Sequence, residues 1–95
     1  MKTLTELELK KYLDNFQNWQ IRDKALYREF KMDSFNSCMD AMQKIAVVCE
    51  ELNHHPEWTN CYNKLQIKLT THYLGGLSEL DFKLAEAIEK FTSIE

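Results

Sequence analysis

The residues best suited to acid-base chemistry lie close together in this chain. All three histidines, both glycines and the single proline fall between residues 54 and 76. Because neutral and protonated imidazole are both accessible near neutral pH, clustered histidines can donate one proton and accept another. Glu50 precedes the His54-His55 pair and could orient a ring, and His72 follows near the end of the window. The pattern therefore indicates general acid-base catalysis.

A β-hairpin is predicted to bring the two ends of this window together. Asn63-Lys64 is a suitable two-residue turn because asparagine tolerates positive φ, and segments of alternating polarity flank it. This turn places His55 opposite His72, so that the three imidazoles form one cluster. In the strand after the turn, His72 shares the polar side with Lys68 and Thr70, so we expect it outside the core.

Two other kinds of site stay open. A metal site is the main alternative, but the adjacent His54-His55 rings diverge and no carboxylate or thiol completes a recognised ligand spacing. Cys61 is a candidate nucleophile, although a small buried hydrophobic residue is the favoured interpretation. Trp58 and Tyr62 fall on one side of the same strand and suit either core packing or an aromatic wall for a planar ligand. Core packing is the expectation for Tyr62.

Length and composition limit the kinds of protein that this can be. The chain has 95 residues, and we expect a single domain over residues 1–95. Its net charge is −3 with basic and acidic residues interleaved, which argues against direct nucleic-acid binding. The three cysteines lack disulfide or zinc spacing and fit reduced thiols. Without an apolar targeting segment or a membrane-spanning stretch, the sequence predicts a soluble, cytoplasmic protein that does not contact membranes.

The hydrophobic periodicity predicts the element order α-β-β-α-β-β-α. The elements are a helix over residues 4–16, two strands joined by an Asp23-Lys24 turn, a helix from Asp33 or Ser34 to before Pro56, the hairpin described above, and a helix that begins at Ser78 with Asp81. Hairpins that alternate with helices favour an α+β fold. We therefore expect one four-stranded antiparallel sheet with three helices packed on one face.

The long second helix carries a second, weaker apolar line formed by Ala41 and Val48. A broad core face is the simpler interpretation, but a partner helix could also cover this line. Because a small domain with hairpin edges gains stability from association, we expect a homodimer or homotetramer. A different protein partner on the same helix is the alternative.

Taken together, these residues resemble the pterin-4a-carbinolamine dehydratases, also known as dimerisation cofactors of hepatocyte nuclear factor 1. The resemblance rests on the run Glu50-Glu51-Leu52-Asn53-His54-His55-Pro56-Glu57-Trp58, followed by Tyr62, Thr71-His72, Gly76-Leu77, Asp81 and Ala85. It covers nearly the whole chain. His-His-Pro alone is a weak signal, but the later Thr-His and the Gly-Leu-x-x-x-Asp make the combination specific.

The resemblance implies dehydration of 4a-hydroxytetrahydrobiopterin to quinonoid dihydropterin, which recycles the cofactor of aromatic amino acid hydroxylases. The pterin is the substrate, and no metal or other cofactor is implied. The implied catalytic residues are His54, His55 and His72. The implied substrate-binding residues are Glu50, Asn53, Trp58, Thr70, Thr71, Tyr73 and Asp81.

Some of these assignments have alternatives. Asp81 is equally suited to begin the last helix. Asn53 stands where the family often has aspartate, and Met32 where it often has an aromatic residue. Members of the family also stabilise the dimer of a transcription factor, so a coactivator role through protein contacts is the alternative function.

Overall fold

The computed structural model describes residues 1–93 and contains one four-stranded antiparallel sheet with three helices packed on one face. The elements are α1 (Glu6–Leu13), β1 (Gln20–Arg22), β2 (Ala25–Lys31), α2 (Phe35–Leu52), β3 (Glu57–Cys61), β4 (Lys64–Leu69), a 3₁₀ turn (His72–Leu74) and α3 (Glu79–Thr92). The strands lie in the order β1-β2-β4-β3. The predicted α+β fold and element order are confirmed, while the predicted domain boundary at residue 95 lies outside the described residues.

The first hairpin forms as the sequence predicts. Asp23 and Lys24 both have left-handed backbones, with φ of 49° and 63°. Two successive positive φ values match the twist of antiparallel strands, which explains a tight two-residue turn here. Leu26 and Phe30 of β2 are buried beneath the helices and pair with Leu69 and Leu65 of β4, respectively.

The second hairpin differs from the prediction, because its turn lies at Tyr62-Asn63. Cys61 pairs with Lys64, and the ladder ends where Glu57 pairs with Lys68. The predicted pairing of Tyr62 with Leu65 is therefore wrong, and no strand pairing places His55 opposite His72. Tyr62, which was expected in the core, is exposed in the turn with φ of 54°.

Two asparagines explain this register. The Asn63 carbonyl accepts a hydrogen bond from the Met32 backbone N–H at 2.7 Å, and the Asn63 side-chain amide donates to the Met32 carbonyl at 3.1 Å. The Asn60 amide donates to the carbonyls of Tyr62 and Lys64 at 3.1 and 2.9 Å. These bonds hold the turn against the end of β2 and leave the left-handed position to Tyr62.

Helix α1 is shorter than the predicted helix over residues 4–16. Thr5 caps it, since the Glu8 backbone N–H donates to the Thr5 hydroxyl at 3.2 Å and the Thr5 N–H donates to the Glu8 carboxylate at 2.9 Å. This bond from the Thr5 backbone lowers the pKa of Glu8. Leu4 lies outside the helix because its N–H donates to the Leu77 carbonyl. Phe16 lies beyond the helix end, although it is buried.

Helix α2 begins after Ser34, whose hydroxyl accepts a hydrogen bond from the Ser37 backbone N–H at 3.0 Å. Its buried residues are Cys38, Ala41, Ile45 and Cys49. Ala41 belongs to the core and Val48 is half-buried against it, which agrees with the simpler interpretation of this line as a broad core face. The large exposed apolar residues of α2 are Phe35 and Val47, at 47% and 60% exposure.

The cysteines differ in exposure. Burial raises the pKa of the Cys38 and Cys49 thiols. Cys61 is exposed, contrary to the favoured interpretation of its burial. It lies at the turn end of β3, the opposite end from His55. None of the helices in the described part of the chain is both long and apolar enough to cross a bilayer.

Candidate active site

The carboxylate of Asp81 is the centre of the candidate site. Asp81 lies in the first turn of α3 and is 0% exposed. Its Oδ2 accepts hydrogen bonds from the Thr71 hydroxyl at 2.8 Å and from the Ser78 backbone N–H at 2.9 Å. Its Oδ1 lies 2.6 Å from Nε2 of His54, which is itself 8% exposed. Asp81 thus has the predicted role at the start of α3, and it also contacts His54.

This arrangement determines which nitrogen of His54 carries a proton. The Thr71 hydroxyl and the Ser78 N–H both donate to Asp81, and an ionised carboxylate is an acceptor only. With Asp81 ionised, His54 Nε2 is the donor in its 2.6 Å contact with the carboxylate. In neutral His54 the proton then resides on Nε2, which leaves Nδ1 as an unprotonated acceptor. A bound molecule would meet this nitrogen as a base.

The backbone at the end of α2 aims His54 toward Asp81. Asn53 has a left-handed backbone with φ of 50°, a conformation that asparagine tolerates better than most residues. The His54 N–H donates to the Cys49 carbonyl at 3.0 Å, and the Asn53 N–H donates to the Glu50 carbonyl at 3.3 Å. This pair of bonds is the Schellman ending of a helix. In the structure Asn53 therefore ends α2. Its side chain is exposed and makes no hydrogen bond within residues 1–93.

His55 forms the second histidine-carboxylate pair. Its Nε2 lies 2.5 Å from Oε2 of Glu50, which is in the last turn of α2. Both side chains are more than half exposed, so water screens their attraction. Glu50 therefore orients the His55 ring, as the sequence suggested, at a more solvated position than that of His54.

His72 joins the site through its neighbour Thr71. Thr71 is buried, and its hydroxyl contacts both Asp81 and the Ser78 hydroxyl, the latter at 2.7 Å. His72 begins the 3₁₀ turn and is exposed, as predicted from its polar side of the strand. Its ring makes no hydrogen bond to the residues that the structure describes. The link between His72 and His54 therefore runs through Thr71 and Asp81 and does not depend on strand pairing.

The remaining residues predicted to bind substrate differ in their burial and in their hydrogen bonds. The Thr70 hydroxyl donates to the Lys24 carbonyl at 2.9 Å, which ties it to the first hairpin. Tyr73 is exposed beside His72. Trp58 is half-buried on the helix-facing side of β3, opposite Ile67. Trp58 thus packs against the core, and Tyr73 is the aromatic ring that is most accessible near a histidine.

Ser78 is a site residue that the sequence reasoning assigned only to helix capping. Its hydroxyl contacts Thr71 and its N–H contacts Asp81. The sequence feature that points to this contact is the Gly75-Gly76 pair, which allows the chain to turn sharply. In the structure, a bridge between Thr71 and Gly76 folds the loop back on itself. That fold brings Ser78 beside Thr71.

Other parts of the molecule offer less for chemistry. A cleft of about 360 Å³ lies between β2 and α3 and contains Arg28 and Glu89. These two side chains already pair with each other at 2.6 Å, and the Trp19 indole N–H also donates to Glu89. Within residues 1–93, no three histidine, cysteine, aspartate or glutamate side chains are placed to share a metal ion.

Comparisons with known proteins identify a family for this chain. Residues 2–91 match the family model described as pterin 4 alpha carbinolamine dehydratase. A relative from Prochlorococcus marinus strain MIT 9215 is 44% identical over 87 residues, covering 92% of this chain and 91% of the relative. Another from Chelativorans strain BNC1 is 38% identical over 92 residues, covering 95% and 94%. Both carry the provisional name pterin-4-alpha-carbinolamine dehydratase.

Two solved structures share the fold. The crystal structure of a protein from Brucella melitensis, described as a transcriptional coactivator/pterin dehydratase, matches with a TM-score of 0.93 and 36% identity over 97% of this chain and 100% of that one. A pterin dehydratase-like protein, a RuBisCO assembly factor in the alpha-carboxysome, matches with a TM-score of 0.65. At 18% identity over 81% of this chain and 89% of that one, the second likeness shows the fold alone. The family match and the relatives show that this chain belongs to the pterin 4 alpha carbinolamine dehydratase family.

Proposed function

We propose that this protein dehydrates 4a-hydroxytetrahydrobiopterin to quinonoid dihydropterin and water by histidine acid-base catalysis. In this reaction the C4a–O bond breaks, the hydroxyl leaves as water after it receives one proton, and N5 loses one proton to a base. Electrons and protons balance without an oxidant. The chemistry therefore needs one proton donor and one acceptor, and this site offers histidines for both roles.

The His54-Asp81 pair is the observation that carries the proposal. The buried carboxylate engages Nε2 and leaves Nδ1 as an acceptor, which suits His54 to take the N5 proton. As that proton arrives, the imidazolium is stabilised by the negative charge at 2.6 Å, in a setting that is nearly closed to water. Asp81 does not reach the pterin in this scheme, and its part is to orient and stabilise His54.

We assign the proton donor to His72. Its exposed ring makes no hydrogen bond within the described residues, so it can exchange protons with water between turnovers. His55 is oriented by Glu50 and is assigned to pterin binding. Tyr73 and Asn53 are exposed residues that adjoin His72 and His54 in the chain, and they complete the proposed contacts. The three unpaired cysteines support a reducing, cytoplasmic setting, in which the reaction would recycle tetrahydrobiopterin.

The activity test is a stopped-flow measurement of 4a-hydroxytetrahydrobiopterin breakdown. The protein should accelerate the decay well beyond the buffer rate, in proportion to enzyme concentration. Lys83→Ala is a matched control, because Lys83 is an exposed residue of α3 and makes no contact with the histidines. Decay at the buffer rate with the folded protein would reject the proposal.

Self-association is a second proposed property, and the exposed face of α2 supports it. Phe35 and Val47 place two large apolar side chains on this helix outside the core. The two residues lie about 18 Å apart along the helix axis, so a second copy of the chain would have to cover most of the helix to bury both. The coactivator description of the Brucella melitensis protein favours a protein-binding role as the alternative function.

The association test compares charged substitutions on different helices. Val47→Lys should shift a homodimer or homotetramer toward monomer in sedimentation velocity, since an interface does not accept an unpaired charge. Leu7→Lys is the matched control, because Leu7 is a similarly exposed apolar residue on α1. A monomeric parent protein at micromolar concentration would remove the proposal.

A further inference from the structure

The first five residues cross the loop that carries His72. We call residues 1–5 the strap and residues 71–77 the histidine loop. The Leu4 N–H donates to the Leu77 carbonyl at 2.9 Å. A Cβ placed on Gly76 would lie 3.4 Å from the Thr3 methyl group, so the strap backs closely onto the loop. Its first residue, Met1, lies with its sulfur 3.9 Å from the Tyr73 hydroxyl.

The hydrogen bond from Leu4 to Leu77 is connected to the candidate site through the residues on either side of Leu77. Leu77 lies between Gly76 and Ser78 in the chain. The Gly76 carbonyl accepts from the Thr71 N–H at 3.0 Å, and the Ser78 N–H donates to Asp81 at 2.9 Å. A displacement of Leu77 therefore moves backbone groups that hold Thr71 and Asp81, and Asp81 in turn orients His54.

The histidine loop has few other restraints at its open end. Its 3₁₀ turn is closed by the N–H groups of Leu74 and Gly75, which donate to the carbonyls of Thr71 and His72 at 3.0 Å each. Gly75 has φ of 70° and nothing within 4 Å of where a Cβ would be. His72 and Tyr73 are exposed. Thr71 and Leu77 at the two ends of the loop are buried, whereas residues 72–75 between them depend mainly on hydrogen bonds for their position.

We propose that the strap is a positioning element for the candidate active site, and that Leu4 is its main positioning residue. By anchoring the Leu77 carbonyl, it keeps the histidine loop closed and holds Thr71 against Asp81, the partner of His54. The strap contacts none of the reacting groups. The inference rests on the proposed dehydratase function for its catalytic consequence, whereas its effect on the loop is independent of that function.

The test separates the backbone bond of Leu4 from its side chain. Leu4→Pro removes the donor N–H, and Leu4→Ala keeps it while removing most of the side chain. Lys2→Pro is the matched control, because it adds the same ring at an exposed position whose N–H makes no hydrogen bond in the described structure. Two readouts are compared, namely amide hydrogen exchange at Leu74 and Gly75 and the rate of 4a-hydroxytetrahydrobiopterin breakdown.

We expect Leu4→Pro to speed exchange at Leu74 and Gly75 by about two- to tenfold, the effect of one lost backbone hydrogen bond on an opening equilibrium. Exchange in β4 should not change. The breakdown rate should fall by a similar factor, and Lys2→Pro should match the parent in both readouts. Leu4→Ala should retain slower exchange in the turn than Leu4→Pro.

Three results would overturn the inference. Unchanged exchange at Leu74 and Gly75 in folded Leu4→Pro would show that the strap does not hold the loop. Faster exchange with an unchanged breakdown rate would show that the loop needs no such positioning. Equal effects of Lys2→Pro would show that the bond at Leu4 is not the cause. A parent protein that lacks activity but shows the expected exchange pattern would reject the proposed function and leave the strap intact.

If Leu4→Pro does not fold, a second pair of variants tests the same contact. Gly76→Val adds carbon atoms where the Thr3 methyl lies, which should push the strap away and speed exchange at Leu74. Thr3→Ala in that background removes this methyl and should restore slow exchange. Failure of the restoration would contradict the inference.

Discussion

Replacing Asp81 with asparagine should invert the proton arrangement of His54 while preserving the shape of the site. The asparagine carbonyl can keep the two bonds to Thr71 and Ser78 that Oδ2 now accepts, at 2.8 and 2.9 Å. Its –NH₂ group then faces His54 Nε2, which must become an acceptor. The imidazole proton moves to Nδ1, the nitrogen that should act as the base. Asp81→Asn thus removes the base without removing a side chain.

The size of the effect follows from these contacts. General acid-base assistance is worth ~100- to 10,000-fold, so the breakdown rate should fall within that range. One charge-assisted hydrogen bond is lost and the cap of α3 is kept, so the free energy of unfolding should fall by only about 1–3 kcal/mol. For a domain of this length, that corresponds to a melting temperature lower by roughly 4–8 °C per kcal/mol.

Two measurements check this reasoning. Nitrogen NMR of the imidazole rings should place the His54 proton on Nε2 in the parent and on Nδ1 in Asp81→Asn. Ser78→Ala is the matched control, because it removes a hydroxyl contact to Thr71 and leaves the pair of His54 and Asp81. It should cost about 0.5–2 kcal/mol of stability and change the rate by only a few-fold. The reasoning is refuted if folded Asp81→Asn turns over at the parent rate, or if the parent carries the proton on Nδ1.

The remaining predictions concern thiols, acid stability and metals. Iodoacetamide should quickly modify only the Cys61 thiol among the three cysteines of the native protein, because burial raises the pKa of the Cys38 and Cys49 thiols. Rapid labelling of all three cysteines in the native protein would contradict the described packing. Because the pKa of Glu8 is lowered, its contribution to stability is present above the ordinary glutamate pKa and is lost as the pH falls through the lowered value. Glu8→Gln should therefore reduce the pH dependence of unfolding in this acid range. An unaltered acid transition would argue against the cap. Dehydratase activity should survive exhaustive chelation, and a loss that one particular metal restores would overturn the proposed mechanism.

Local sequence signals predicted most of the elements because each depends on neighbouring residues. The Ser34 cap, the Asp23-Lys24 turn and the end of α2 before Pro56 were all readable in this way. The second hairpin was not, since its register depends on bonds between Asn63 and Met32, which are 31 positions apart. At the start of α1, the Leu4 N–H donates to the distant Leu77 carbonyl, a contact that no local pattern predicts.

The candidate site was predicted as a set of residues, but not as a geometry. The sequence predicts a cluster of the three histidines, and the strand pairing expected to assemble it is wrong, because the ladder ends where Glu57 pairs with Lys68. The pair of His54 and Asp81 spans 27 positions, and no periodicity connects a helix end to the first turn of another helix. The burial of Ala41 agrees with the broad core face that the helical pattern of α2 favours.

The central claim is that His54 and His72 divide the proton transfers, and the double variant His54→Ala/His72→Ala tests it most directly. Each single alanine should reduce the stopped-flow rate strongly, and the double loss should be smaller than the product of the single losses because the two act as a unit. His55→Ala should instead weaken pterin binding more than turnover. Circular dichroism must show the double variant folded, because His54→Ala takes a hydrogen-bond partner from the buried Asp81 carboxylate. Dehydration by the folded double variant at the parent rate would contradict the account.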